Sequence, residues 1–323
     1  MPQILGYVGT YASPDHSGTY QFQLDTDTGL LSHPQNIYHQ ANTKYSSCYQ
    51  GLVATLTEKD PRAGLALIDA AAPDHPLLDS ILTEKVTGCY LVWHNGLIYT
   101  TNYHDGHVLI YDPSGGSLIL RHRLLVGEEA GCHQVIFHDH YLLVPCLCLD
   151  QIRIFDLDAN YAQVGQIDFP AGTGPRHGVF NADHTKLFVV SETTNQLFTY
   201  QVNGLTFDLQ NTIDLLSGIS VPNAQSAAIR LSEDEKTLYI SIRGANLIVI
   251  LRADGLQPQI LQYADSLGQD PWDLVLVPGS SLLLVSNRKS NELACFETAC
   301  DGQITRRLSA ISIYQCVGIS LDR

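Results

Sequence analysis

Within GTGPRHGVF, residues 172–180, an arginine and a histidine stand side by side between a Gly/Pro turn and a short apolar run that reads as a strand. Glu192 follows Arg176 by sixteen residues, and His133, His177, Arg243 and Arg288 add groups of the same kinds. Guanidinium groups hold anions through paired N–H donors, and a histidine or glutamate tuned by its surroundings can take a proton from water. Taken singly, each residue has a plainer account. A lone arginine at a strand end is usually solvated or salt-bridged, Glu192 could simply pair with Arg176 or Arg243, and His133 could be a satisfied histidine. A site exists only if the fold brings these groups together.

The elements that would position them repeat. Seven segments share an apolar, β-rich core: GYVGTY at 6, GLVATL at 51, LIYTTNY at 97, LLVPCLC at 142, LFVVSET at 187, LYISIRG at 238 and LLVSNRK at 283. Successive starts differ by 45, 46, 45, 45, 51 and 45 residues. A period of that length, with several short strands and turn residues per unit and no room for a helix, predicts an all-β fold. The expected architecture is a seven-bladed β-propeller of four-stranded blades, spanning 1–323 as a single domain. The first unit lacks an inner strand, while YQCVGISL (314–321) follows the seventh unit's outer region. That C-terminal strand is expected to pair into the first blade and close the ring, which removes open sheet edges. The interval of 51 places an insertion between Leu205 and Ser226, expected as a longer loop or short helix that is either plain surface or a cover for substrate.

In an antiparallel hairpin, the start of the first strand and the end of the second lie at the same edge. Inner-strand starts align Cys89, His133, Arg176, Ala227 and Trp272, and the sixth position of the repeated segment aligns Tyr11, Leu56, Asn102, Leu147, Glu192, Arg243 and Arg288. One channel mouth therefore receives His133, Arg176, Glu192, Arg243 and Arg288, with His104 and His177 close by and Asn102 in the same column. Strict strand alternation points His177 away from Arg176. Tyr11, Tyr103 and Trp272 could pack the channel wall or touch a ligand, and Asp105, Asp150 and the acidic turn at 233–235 read as solvated turn residues.

Composition excludes other classes. The formal net charge is -15, from 18 basic and 33 acidic residues, which argues against nucleic acid and anionic membranes as partners. An anionic ligand must meet a local basic cluster. No apolar run approaches the ~20 residues of a membrane span, and MPQILGYVGTY lacks the features of an export signal, so a cytoplasmic location is expected. The eight cysteines read as free thiols. Cys132, His133, Cys146 and Cys148 are zinc-ligand types, but Cys146 and Cys148 sit at strand spacing with no second CxxC.

TYQFQLDTDTGLL (19–31), AGCHQVIFHDHYLLVPCLCLDQIRIFDLD (130–158), GTGPRHGVFNADHTKLFVVSETTNQLFTY (172–200) and AAIRLSEDEKTLYISIRGANLIVIL (227–251) resemble the seven-bladed-propeller lactonase family over nearly the whole chain. That family includes the propeller-type 6-phosphogluconolactonases and the fungal carboxy-muconate lactonizing enzyme. Its most specific pieces here are GPRH, the glutamate sixteen residues after the GPRH arginine, and the arginine of SIRG. The resemblance implies His133, Arg176, Glu192 and Arg243 as catalytic residues, and the column alignment adds His177, Arg288, Asn102 and His104 in support on the substrate. It implies hydrolysis of an anionic sugar lactone, most specifically 6-phosphogluconolactone in carbohydrate metabolism, with Glu192 or His133 as base and no cofactor or metal. A muconate-type cycloisomerase and a non-catalytic propeller that binds protein or peptide are the competing expectations. Blade two departs from the family by lacking a Ser-Pro-Asp-Gly-like turn, and CLCLD carries cysteines where many members have aspartate and glycine.

Overall fold

The computed structural model describes residues 3–11 and 15–322. They form seven four-stranded antiparallel sheets arranged as blades around a channel, with each repeated segment as the second strand of its blade. The second strands are buried on both faces: Lys186–Ser191 after its first residue, and Thr237–Arg243 and Leu282–Asn287 throughout. Each has a strand on either edge and a neighbouring blade against either face, so runs such as LFVV and LYISI pack apolar and β-branched groups both ways. The outer strand Thr206–Asp214 instead has only exposed and half-buried positions, because only one face is covered.

Adjacent blades join through apolar seams. Ile136, Leu143, Ile152 and Ile154 of blade four meet Leu187, Val189, Phe198 and Tyr200 of blade five. Each such aliphatic side chain contributes about 1.5–3 kcal/mol relative to exposure. Blade two forms four strands like the others, Ser46–Tyr49, Leu52–Lys59, Arg62–Asp69 and Leu77–Glu84, although its turn chemistry is degenerate.

The ring closes as the repeat pattern requires. Cys316–Leu321 is the innermost strand of blade one and pairs antiparallel with Gln3–Thr10, with Gly6 opposite Leu321, Tyr7 opposite Ser320 and Val8 opposite Ile319.

The insertion between blades five and six resolves into the outer strand Thr206–Asp214 and a connection at 215–224. Leu215, Leu216 and Val221 of that connection pack onto the seam between the two blades, and no helix forms there. All eight cysteines are free, and Cys132, Cys146, Cys295 and Cys316 are buried. Among the described residues, no helix is long and apolar enough to cross a membrane.

Candidate active site

The GTGPRH stretch is held by a residue that reads as an ordinary turn aspartate. The Asp150 carboxylate accepts the backbone N–H groups of Gly172 and Gly174, each at 2.7 Å. Gly174 has φ 63°, and a Cβ there would lie 2.7 Å from Thr193 Oγ1, so the turn needs glycine. Asp150 thus positions the entry to the inner strand Pro175–Phe180 rather than merely meeting solvent.

That strand begins with a β-bulge. Pro175 pairs with Ser191 and His177 with Val190, which leaves Arg176 as the extra residue. A bulge breaks the alternation of side chains. The expectation that His177 points away from Arg176 is therefore corrected: Arg176 Nη1 lies 3.4 Å from both ring nitrogens of His177. The same irregularity occurs between Pro271 and Asp273, around Trp272 of blade seven.

Glu192 is the hub of the cluster. Its Oε2 lies 2.8 Å from Arg176 Nε and 2.9 Å from Arg243 Nη2, and its Oε1 accepts Gln225 Nε2 at 3.2 Å. The two arginines differ in depth. Arg176 is 1% exposed, donates Nη1 to the Ala227 carbonyl at 2.5 Å and stands behind the pocket wall, whereas Arg243 lines the pocket itself. Arg243 Nε and Nη2 are buried without a well-directed hydrogen-bond acceptor, so the close approach of Nη2 to Glu192 is ionic contact rather than a hydrogen bond. Burial and the like charge of Arg176 push the Arg243 guanidinium down to about 10 against the pull of Glu192, which leaves it charged at neutral pH.

The pocket is a cavity of about 200 Å³ at one channel mouth, and Lys44, His104, His133, Glu192 and Arg243 all line it. His133 is neutral at pH 7, because burial and then Arg176 hold its imidazole well below the usual range, and its Nδ1 has no partner. His177 packs beneath it, ring centroids 5.1 Å apart, and is held neutral by the same two causes. Deeper in the channel, Tyr45, Tyr90, Arg230 and Asp273 form a plug. Tyr45 donates to Asp273 at 3.3 Å and Arg230 pairs with it at 2.6 Å, while the Tyr45 and Tyr90 rings are 5.0 Å apart. A separate depression of about 730 Å³ occupies the other mouth, on the far side of Tyr45.

The remaining expected residues are placed differently. Arg288 pairs with Asp270 at 2.8 Å and lies 4.6 Å from the Trp272 ring, whose face Arg243 approaches at 4.5 Å, so it supports the wall through the indole. Asn102 is fully buried and outside the pocket lining. Its amide donates to Glu84 and to the Val86 carbonyl, and its Oδ1 accepts the His104 backbone N–H at 3.1 Å, so Asn102 fixes the turn that carries His104. No residue of 215–224 lines the cavity, although that connection lies on the pocket face.

The Asn102 contact makes a stability prediction. Burial lifts the Glu84 carboxyl to about 7, against an ordinary 4.5. A raised acid contributes stability that is full below its unfolded pKa and lost as pH rises through its folded one. Glu84→Gln, which keeps the shape but cannot ionise, is expected to be more stable than the parent above pH 7 by about 3 kcal/mol and to converge with it near pH 4.5. Denaturant unfolding at the two pH values checks this, and a difference that did not change with pH would count against it.

Lys44 is a charged pocket residue that the repeat columns missed. Counting back from Cys89 by one 45-residue period gives position 44, two residues before blade two's inner strand, so extending the column through the degenerate blade finds it. Its ammonium lies 4.8 Å over the Tyr11 ring, burial lowers its pKa, and among the described residues it has no carboxylate at ion-pair distance. The Cys132, His133, Cys146 and Cys148 set is not among the described groups close enough to share a metal, and Cys148 Sγ instead donates to the Tyr103 hydroxyl at 3.3 Å.

A family model described as "Lactonase, 7-bladed beta-propeller" matches residues 5–320. The chain is 26% identical to the 6-phosphogluconolactonase of Bacillus subtilis, across 97% of both chains. Among solved structures it is similar to a Lactobacillus plantarum protein at TM-score 0.90, with 21% identity and full coverage of both chains. It is also similar to the periplasmic gluconolactonase of Pseudomonas aeruginosa at TM-score 0.89, with 20% identity over 100% of this chain and 99% of that one. The two structural likenesses speak to the fold.

Proposed function

This chain belongs to the seven-bladed β-propeller lactonase family, and from that premise we propose that it hydrolyses a phosphorylated sugar lactone, 6-phosphogluconolactone to 6-phosphogluconate. The observation that carries the reading is that one small pocket is lined by both a neutral histidine, His133, and a charged guanidinium, Arg243, which Glu192 holds in place.

A lactone needs a water made nucleophilic and an oxyanion held as it forms. Glu192 Oε2 is committed to two guanidiniums, so Glu192 orients the arginines, and His133 serves as the base. His133 takes a proton from water as the water oxygen bonds to the lactone carbonyl carbon. The carbonyl electrons move onto oxygen, where Arg243 receives the charge. Collapse re-forms the carbonyl and breaks the bond to the ring oxygen, which accepts the proton back from His133 and leaves as a hydroxyl. The product carboxyl then ionises beside the basic wall. Arg176 acts from behind, through Glu192 and His133.

Lys44 stands apart from the Arg176–Glu192–Arg243 cluster as a second cation in the pocket, a fitting contact for the substrate's phosphate. Hydrolysis of phosphorylated and unphosphorylated gluconolactone, compared side by side and corrected for spontaneous opening, tests the reading. The phosphorylated substrate is expected to be preferred, and Lys44→Met is expected to raise its KM by about tenfold with little change in kcat. Background rates on both lactones would remove the proposed function. Unchanged KM in the variant would remove only the role of Lys44.

A further inference from the structure

The inner hairpins of the blades turn at the end of the channel opposite the pocket, since their pocket ends carry His133 and Arg176. There the turn HDHY (138–141) of blade four meets NADHTK (181–186) of blade five, and His138, Asp139 and His184 come together with their ligand atoms all within 4.8 Å of one another. His138 is 3% exposed, and its Nε2 lies 2.9 Å from the Gly204 carbonyl. A carbonyl only accepts, so the Nε2 carries the proton and the Nδ1 presents a lone pair. That Nδ1 is 3.1 Å from His184 Nδ1. Two nitrogens on one tetrahedral zinc, with arms of about 2.0 Å, stand about 3.3 Å apart. The histidines already have near-ligand spacing, and Asp139 offers a carboxylate from the same turn as His138. Phe180 flanks both rings, at 4.9 Å from His138 and 4.7 Å from His184, and restrains their orientation. The carbonyl behind His138 is the outer partner that ligating histidines ordinarily have.

We propose that His138, Asp139 and His184 form a binding site for a first-row divalent cation, zinc foremost, with the remaining position open to water. The ion would clip the hairpin of blade four to that of blade five. The site stands at the far end of the fold from the pocket and does not depend on how the pocket is read. The 3.1 Å separation would equally suit one N–H of His184 donated to His138, and a titration separates the two.

The test uses the full chain, stripped with a chelator and titrated with zinc against a chromophoric competitor. One equivalent per chain is expected to bind to the parent. His184→Gly suits a backbone with φ 56° and leaves the buried His138 in place, and it is expected to weaken binding by at least about tenfold. Asp139→Asn is expected to weaken it as well. The thermal midpoint of the parent should rise with zinc and that of His184→Gly should not, since an ion bound only by the folded state stabilises it. His140→Ala serves as the control, because His140, Asp156 and Asp158 form a neighbouring group of possible ligands. Equal affinities of parent and His184→Gly, or binding lost with His140 instead, would overturn the assignment.

Discussion

Arg243→Met is expected to lower kcat by about a hundred- to a thousandfold, the usual consequence of removing a donor from a developing oxyanion. The effect should fall on kcat rather than KM, because the interaction strengthens as charge accumulates on the carbonyl oxygen. Loss of fold does not confound the measurement. Glu192 keeps its 2.8 Å pairing with Arg176, so no carboxylate is orphaned, and methionine can still cover the Trp272 face that Arg243 occupies. Arg243→Lys should recover little, since an ammonium is a point charge and does not reproduce the fork. Steady-state rates within threefold of the parent in the methionine variant would mean that Arg243 does not face the oxyanion.

His133→Gln is expected to cost about a hundred- to ten-thousandfold in kcat, the span covered by a positioned general base. The pH profile carries the sharper information. A base held well below 6.5 is unprotonated throughout the neutral range, so kcat/KM should be flat across neutral pH, with the His133 limb falling only at more acid pH. Arg176, one of the two main causes of that depression, never reaches the pocket surface. In Arg176→Met the acid limb should therefore move to higher pH, a displacement that a purely structural arginine would not produce. A limb that stayed in place would separate Arg176 from His133.

The ring of seven blades was legible because strand periodicity and the 45-residue spacing reflect the same packing demand: each second strand must be apolar on both faces. The pocket was legible in part. Register columns identify which backbone positions reach the mouth, and they brought His133, Glu192 and Arg243 there. They do not reveal which way a side chain turns. Asn102 shares the column of Glu192 yet faces Glu84, because a buried carboxyl offers its amide a stronger partner than the channel does. The depth order of Arg176 and Arg243, and the approach of His177 to Arg176, follow from a bulge of one residue that no local signal in PRHGVF announces. Asp150 reads as solvated because its two N–H partners lie more than twenty residues away in sequence. Lys44 was within reach of the repeat, and only the irregular composition of blade two concealed it.

The pairing of Cys316–Leu321 with Gln3–Thr10 also sets a timetable for synthesis. Gln3–Thr10 waits for a partner encoded some three hundred residues later, roughly 15–60 s at ordinary elongation rates of about 5–20 residues per second. Throughout that interval six blades can assemble as an open arc, while Gln3–Thr10 carries an unpaired edge that could recruit a strand from a neighbouring nascent chain. The pocket is incomplete for as long, because Tyr11 and Lys44 on one side and Arg243 and Trp272 on the other come together only when the arc closes. Activity in a growing chain would thus switch on with Cys316–Leu321 rather than accumulate blade by blade.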